Sequence, residues 1–338
     1  MKLSPLPALL AVSLLLSSAH GAAGATEAPT KLLIAQGAIS SNVTPLWVAK
    51  DHGIFRRYGL EVDNVFIIAG RAAQAMIAGQ VAVGLIGATH VINVVTAGGD
   101  LTMILGLQNR LDYLFIARPS VKSAEELKGK KVAIGTPAGS ASLATYVALD
   151  YLGLNPRRDN IVLLYAGGVP ERLAALRAGS VEATSLSPEF GQIVTSEGYR
   201  VLVDTGQENI PFQSSGLVVS RKFMKSNPQL IENTVRAIVE GVASIHNPAN
   251  KRLVEQTLAK HLRLDKPERV ETAYRDLLKE LPRKPCPTLA GVASVLKLMA
   301  QHGLNAKAAQ LKPEDVLDMS LCRRLDESGF IDKLYQGF

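Results

Sequence analysis

The residues best placed to do chemistry are small, polar and gathered at turns. Ser40-Ser41-Asn42, Gly70-Arg71, Gly87-Ala88-Thr89 and Gly139-Ser140-Ala141-Ser142 each precede a helical pattern. There the first backbone N–H groups of a helix lack an intrahelical partner and attract an anion. Each turn alone also reads as an ordinary N-cap. Together, at equivalent strand ends, they read as a binding cleft with expected contacts at Ser40, Ser41, Asn42, Gly70, Arg71, Ala88, Thr89, Gly139, Ser140 and Ser142. Arg71, at a strand-to-helix turn, is the expected charged anchor, with a solvated first-turn arginine as the alternative. Pro188-Glu189 stands at a corresponding place further along, where Glu189 could accept from a ligand amine or hydroxyl or be an exposed turn carboxylate. Trp47, Tyr113, Phe190 and Phe212 could wall the cleft or belong to the core.

Catalytic motifs are missing. The histidines His20, His52, His90, His246, His261 and His302 have no metal-ligand spacing. Ser294-Val295-Leu296-Lys297 matches Ser-x-x-Lys without any companion motif. No Gly-x-Ser-x-Gly occurs, and residues 135–140 lack the lysine of a phosphate-binding loop. A binding role without cofactor or metal is therefore expected, rather than an enzyme.

The elements that must position these turns follow from the apolar patterning. Thr44-Pro45 supplies a capping hydroxyl and a first-turn proline, and Gly53 is suited to end that helix in the left-handed conformation. Strands are expected over residues 31–36, 60–68, 79–86 and 101–107, with a helix over 72–78 entered through a turn at Gly70-Arg71. Ile67-Ile68-Ala69-Gly70 … Ala78-Gly79 is echoed by Leu164-Tyr165-Ala166-Gly167 … Ala178-Gly179, with three extra residues in the second copy. This internal repeat implies two similar lobes, the second opening over residues 127–134 with a turn that feeds a buried strand, then a helix at 143–152. Residues 31–114 with 220–338 form the expected first lobe and 118–213 the second, joined by hinge strands at 114–118 and 214–220. Beyond Arg221 the pattern turns helical, over 228–246, 251–261, 266–281, 288–302 and 313–319, with apolar stripes suited to wrapping the first lobe. The expected class is α/β: mixed sheets, flanking helices and a C-terminal helical wrap.

The formal charge is +7, but the basic residues come as scattered pairs such as Arg56-Arg57 and Lys130-Lys131, without a nucleic-acid-binding motif. A solvated surface is expected and nucleic acid is not. Lys2, an apolar run from Leu6 to Leu16 and small residues to Ala23 have the layout of a secretory signal peptide, expected over residues 1–24. That run is too short to span a membrane, so the mature chain is expected outside the cytoplasmic membrane without stable insertion. In such a compartment Cys286 and Cys322 either pair or stay as two buried thiols.

Pro45-Leu46-Trp47-Val48-Ala49 … Gly53-Ile54-Phe55 … Tyr58-Gly59-Leu60-Glu61-Val62 resembles the first block of periplasmic substrate-binding proteins of the nitrate/sulfonate/taurine transporter class. That superfamily also holds the pyrimidine-precursor (NMT1/THI5-like) proteins. Leu127-Lys128-Gly129-Lys130-Lys131-Val132 with the later Gly139-Ser140, and Ala174-Ala175-Leu176 … Gly179 … Val181-Glu182-Ala183, resemble two further blocks, in order, over residues 31–245. The resemblance implies a two-lobed periplasmic binding protein of type II, the Venus-flytrap architecture. It also implies a monomer that delivers a small anionic or zwitterionic metabolite to an ABC permease. The alternatives that accompany it are a pyrimidine-precursor-binding or thiamin-pyrimidine-synthase-like protein, although the cysteine-rich motif of those enzymes is missing here, and a periplasmic sensor that signals to a receptor.

Overall fold

The computed structural model describes residue 1 and residues 28–338, so most of the signal-like stretch lies outside the described residues. Eleven strands are described: β1 (Thr30–Gln36), β2 (Leu60–Phe66), β3 (Val83–Ile86), β4 (Leu101–Met103), β5 (Gln108–Arg110), β6 (Leu114–Ala117), β7 (Lys131–Ile134), β8 (Val162–Tyr165), β9 (Ala183–Leu186), β10 (Arg200–Asp204) and β11 (Pro211–Ser220). They form two mixed sheets with helices on their faces. The first has the order β2-β1-β3-β11-β4, with β5 also on β11, and the second β10-β6-β9-β7-β8.

The internal repeat is visible in this topology. In the first sheet β1 pairs in parallel with β2 and β3, and β3 meets β11 antiparallel. In the second, β7 pairs in parallel with β8 and β9, and β9 meets β6 antiparallel. Each sheet is thus three parallel strands linked by helices, followed by an antiparallel strand and one edge strand beyond it. Parallel strands are covered on both faces and read as apolar runs: Ile34 and Val83 are fully buried, as are Val132 and Ala133. The chain leaves the first sheet through residues 111–113 and returns through 205–210. The two crossings are tied together where Leu111 N donates to Ile210 O at 3.0 Å and Thr205 N to Tyr113 O at 3.0 Å.

Several boundaries differ from the sequence expectation. The helix expected over 72–78 begins three residues earlier, as Ala69–Ile77, so Gly70-Arg71 is its first turn and the reversal falls at Ile67-Ile68. Thr44 does not cap its helix: Val43 holds the N-cap position, and Thr44 Oγ1 instead donates to Ser41 O at 2.6 Å, closing a preceding 3₁₀ turn. Gly53 takes the left-handed conformation, φ +69°. The strand expected over 79–86 shortens to Val83–Ile86, because the positive φ of Gly79 leaves the next residues in a turn, and the one expected over 101–107 shortens to Leu101–Met103.

Helices Pro228–His246, Lys251–Leu262, Pro267–Glu280 and Leu289–Gln301 follow β11. Helix Thr44–Asp51 lies against the first of them so closely that a Cβ on Gly241 would come within 2.6 Å of Pro45 O. Trp47 is core rather than cleft wall: Nε1 donates to Gln36 Oε1 at 2.9 Å and the ring stacks on His261 at 4.6 Å. Phe190 and Phe212 are core as well. Helix Pro267–Glu280 also reaches helix Pro188–Thr195, which follows β9 of the second sheet: Gln192 Nε2 donates to Asp276 Oδ2 at 2.8 Å. Cys286 and Cys322 are joined in a disulfide. Among the described residues no helix is long and apolar enough to cross a membrane.

Candidate functional site

Between the two sheets lies a cavity of about 120 Å³, far more than the ~10–15 Å³ that one water needs. The helices Ala69–Ile77, Ala88–Thr96, Ser140–Tyr151, Val169–Arg177 and Pro188–Thr195 all begin at it, represented on its wall by Ala69, Gly87, Ser140, Gly168 and Ser187. None of these five helices has a side-chain cap hydrogen bond. Ala69 N–H is taken by Gly37 O at 3.1 Å and Pro170 and Pro188 carry no N–H, but all five helix dipoles present their positive ends to the cavity. The convergence follows from the repeat, because each parallel strand ends at this level and feeds the helix that crosses back over its sheet.

Among the described residues, Arg172 is the one permanently charged side chain lining the cavity. It is 3% exposed, and its Nη1 donates to Gly167 O at 2.8 Å while Nε has no partner. Burial lowers its pKa, with Tyr113 and Glu171 acting in the opposite sense, but a guanidinium stays protonated. Ion pairs form elsewhere, yet no carboxylate pairs with Arg172 among the described residues. The cavity thus holds a buried cation without its counter-charge. His90 lines it too, with burial alone pushing its pKa down to about 4, so the imidazole is neutral above that pH. Tyr113, in the first crossing, faces the same space with its phenol pushed up to about 12, burial being the largest cause. Ile39, Val43, Phe66, Leu85 and Val169 supply an apolar wall.

Ser40, Asn42 and Ser140 line this cavity as the sequence suggests. Ser140 Oγ also donates across the cleft to Ser214 O at 3.4 Å. Ser41 and Glu189 contact each other: Ser41 N donates to Glu189 Oε1 at 3.0 Å, joining the two lobes beside the cavity. Glu189 is no exposed turn carboxylate. It is 6% exposed, and burial raises its pKa against the opposing pull of the Ser41 N–H. Pro188 borders the same inter-lobe void. Gly70 and Arg71 instead line a neighbouring groove that shares Ile68, His90 and Thr136 with the cavity. Gly139 is an N-cap folded against Thr136, and Ser142 is buried with Oγ donating to Thr136 O at 2.7 Å. Ala88 and Thr89 are fully buried off the cavity, the Thr89 hydroxyl without a partner.

The expected anchor Arg71 thus lies in the adjoining groove, and the cation that the cavity contains is Arg172. Helices Ala69–Ile77 and Val169–Arg177 correspond residue for residue, with Ala72, Ala73 and Met76 buried in one and Arg172, Leu173 and Leu176 in the other. Arg172 thus takes the buried position of Ala72, whereas exposed Arg71 corresponds to Glu171. A signal was present: counted back from the shared Ala-Gly at 78–79 and 178–179, an arginine falls on an apolar stripe.

A family model described as NMT1/THI5 like matches residues 40–251. No curated protein matches the chain. Among solved structures, a protein of Bordetella bronchiseptica RB50 is similar at 23% identity and TM-score 0.76, over 90% of this chain and 98% of that one. The alkanesulfonate-binding protein SsuA from Xanthomonas axonopodis pv. citri, bound to MOPS, is similar at 20% identity and TM-score 0.70, over 86% and 99%. The periplasmic nitrate-binding protein NrtA from Synechocystis PCC 6803 is similar at 14% identity and TM-score 0.69, over 91% of each chain. These likenesses show the periplasmic binding protein fold, and the family match spans well over half of the sequence. With two lobes of repeated topology and a cavity at their helix N-termini, the chain belongs to the NMT1/THI5-like family.

Proposed function

We propose that the chain is a periplasmic solute-binding protein that closes its two lobes over a small organic anion and presents it to an ABC permease. The observation that carries the reading is Arg172, a buried cation with an unpartnered Nε on the cavity, surrounded by the uncapped starts of five helices. A buried charge without a partner costs several kcal/mol, and an anion would repay that cost. Each helix start contributes about 0.3–1 kcal/mol and a charge-assisted hydrogen bond roughly 1.5–3. At the upper end these approach the ~8 kcal/mol of micromolar binding, and the apolar wall offers a place for an organic tail. The names of two similar proteins, alkanesulfonate-binding and nitrate-binding, support an anion.

In this reading the two crossings, residues 111–113 and 205–210, are the hinge, since β6 (114–117) lies within the second sheet and β11 (211–220) within the first, and the Ser41–Glu189 and Ser140–Ser214 bonds hold the closed form. The N-terminal signal-like stretch exports the chain. Protein refolded free of ligand should be stabilised in thermal unfolding by an anion among MOPS, taurine, nitrate and benzoate, and not by glucose or choline. An anion at 100 times its dissociation constant adds about 2.7 kcal/mol. Stabilisation by the neutral or cationic compounds alone would overturn the assignment.

A further inference from the structure

The crossings hold a carboxyl group that the anion cavity does not use. Asp112 lies in the first crossing, between Leu111, whose N–H donates to Ile210 O at 3.0 Å, and Tyr113, whose N–H donates to Thr205 Oγ1 at 3.0 Å. Its neighbours on both sides are therefore tied to the returning crossing. Asp112 is 8% exposed, and among the described residues its carboxyl group has no hydrogen-bond partner. It faces a second cavity, of about 980 Å³, that shares no lining residue with the anion cavity.

The groups around Asp112 come from both lobes. On the first-sheet side stand Arg110 of β5 and Asp276, Lys279 and Glu280 of helix Pro267–Glu280. On the second-sheet side stand Asp204 of β10 and Glu189 of helix Pro188–Thr195. Arg110 is already engaged by Glu280 and by Asn209 Oδ1 at 2.5 Å, and Lys279 lies nearest Asp276, at 3.9 Å. Asp204 accepts from Gly206 N at 3.0 Å. A Cβ on Gly206 would overlap Asp112 Oδ1 and lie 3.2 Å from Asp204 Oδ1, so two carboxyl groups crowd the same glycine. These acids are not spaced to share a metal ion. Burial first, and then Glu280, Glu189 and Asp204, push the Asp112 carboxyl up to about 7, against the pull of Arg110.

We propose that Asp112 is a proton-operated hinge lock: the closed arrangement takes up a proton at this carboxyl group, and the open arrangement releases it. The proposal rests on the lobe-closure reading above. Opening draws Asp204 and Glu189 away from Glu280 and admits water, so the carboxyl returns toward its ordinary acidic range. A group whose pKa is raised in the closed form binds more protons there, so acidification through neutrality favours closure and alkalinity favours opening. By linkage the closed-to-open ratio rises roughly tenfold between pH 8 and pH 6. Anion capture would then tighten as the surroundings turn acidic.

The test uses the full mature chain without any ligand, so its outcome is independent of whether an anion binds. Spin labels on Gln74→Cys and Tyr165→Cys, both exposed beside the groove at the cleft mouth, report the inter-lobe distance between pH 8.5 and 5.5. The expected result is a short-distance population that grows on acidification, with a midpoint that matches the Asp112 carboxyl titration followed by carbon-13 NMR in the same protein. Asp112→Asn, a neutral isostere, should hold the short distance at every pH. Distances that ignore pH, a carboxyl group that titrates near its ordinary value, or a pH response that survives in Asp112→Asn would each overturn the proposal. Should Asp112→Asn not fold, agreement or disagreement between the two wild-type midpoints decides it.

Discussion

Replacing Arg172 with methionine should stabilise the ligand-free protein while abolishing most of its affinity for anions. The substitution removes one hydrogen bond, Nη1 to Gly167 O at 2.8 Å, worth about 1 kcal/mol net. It also removes a buried charge without a carboxylate partner, whose desolvation costs several kcal/mol. The second effect is larger, so unfolding should become harder by about 1 kcal/mol or more, a rise in Tm of roughly 2 °C in a chain of this size. With an anion present the order reverses. Losing a charge-assisted contact of about 1.5–3 kcal/mol weakens binding by roughly 10- to 150-fold. Thermal unfolding without ligand and titration calorimetry with the best anion of the panel read the two effects separately. Arg172→Lys, which keeps the charge but not the planar fork, should fall between. Arg71→Ala, in the adjoining groove, should change affinity by less than about twofold, as expected of a solvated charge. A lowered Tm with unchanged affinity in Arg172→Met would make this arginine a structural residue and refute the anion site. Equal losses from Arg71→Ala would move the site to the groove.

Two further outcomes are expected. Gly87→Ala places a Cβ 2.6 Å from Ser214 O and 2.9 Å from Ser140 Oγ. It should cost about 1–3 kcal/mol of stability and weaken anion binding by distorting a helix start on the cavity; an unmoved unfolding midpoint would show that the turn relaxes freely. Reduction of the Cys286–Cys322 bond, which spans 36 residues, should cost roughly 3–4 kcal/mol in the chain-entropy view. Urea unfolding with and without reductant measures it, and superimposable curves would contradict a stabilising role.

Much of the architecture was legible because it is locally encoded. Gly53, Gly79 and Gly179 mark reversals that need positive φ, and all three adopt it. The apolar runs of β1, β3 and β7 mark strands whose central residues, Ile34, Leu85 and Ala133 among them, are buried. The spacing of Pro228, Pro267 and Pro313 marks helix first turns, where each of them stands. The site was legible only in part. Ser40, Asn42 and Ser140 sit at strand-to-helix turns whose position depends on short-range pattern, and they reach the cavity. Ala88, Thr89 and Ser142 belong to the same turns but point into the protein, because a helix rotates its side chains by about 100° per residue and an error of one or two positions exchanges lining for core.

The sequence by itself determined the alternation of strands and helices, the doubled lobe and the polar turns, since each depends on contacts a few residues apart. Only the tertiary structure decided which charges are buried and against what. Arg172 and Arg71 lie in equivalent helices one position apart, and that one residue of helical rotation turns the first into the cavity and the second toward solvent. Glu189 and Asp112 owe their environments to Ser41, Glu280 and Asp204, partners distant in sequence that meet only where the lobes do. Burial and long-range charge act through space, and a one-dimensional pattern carries no record of them.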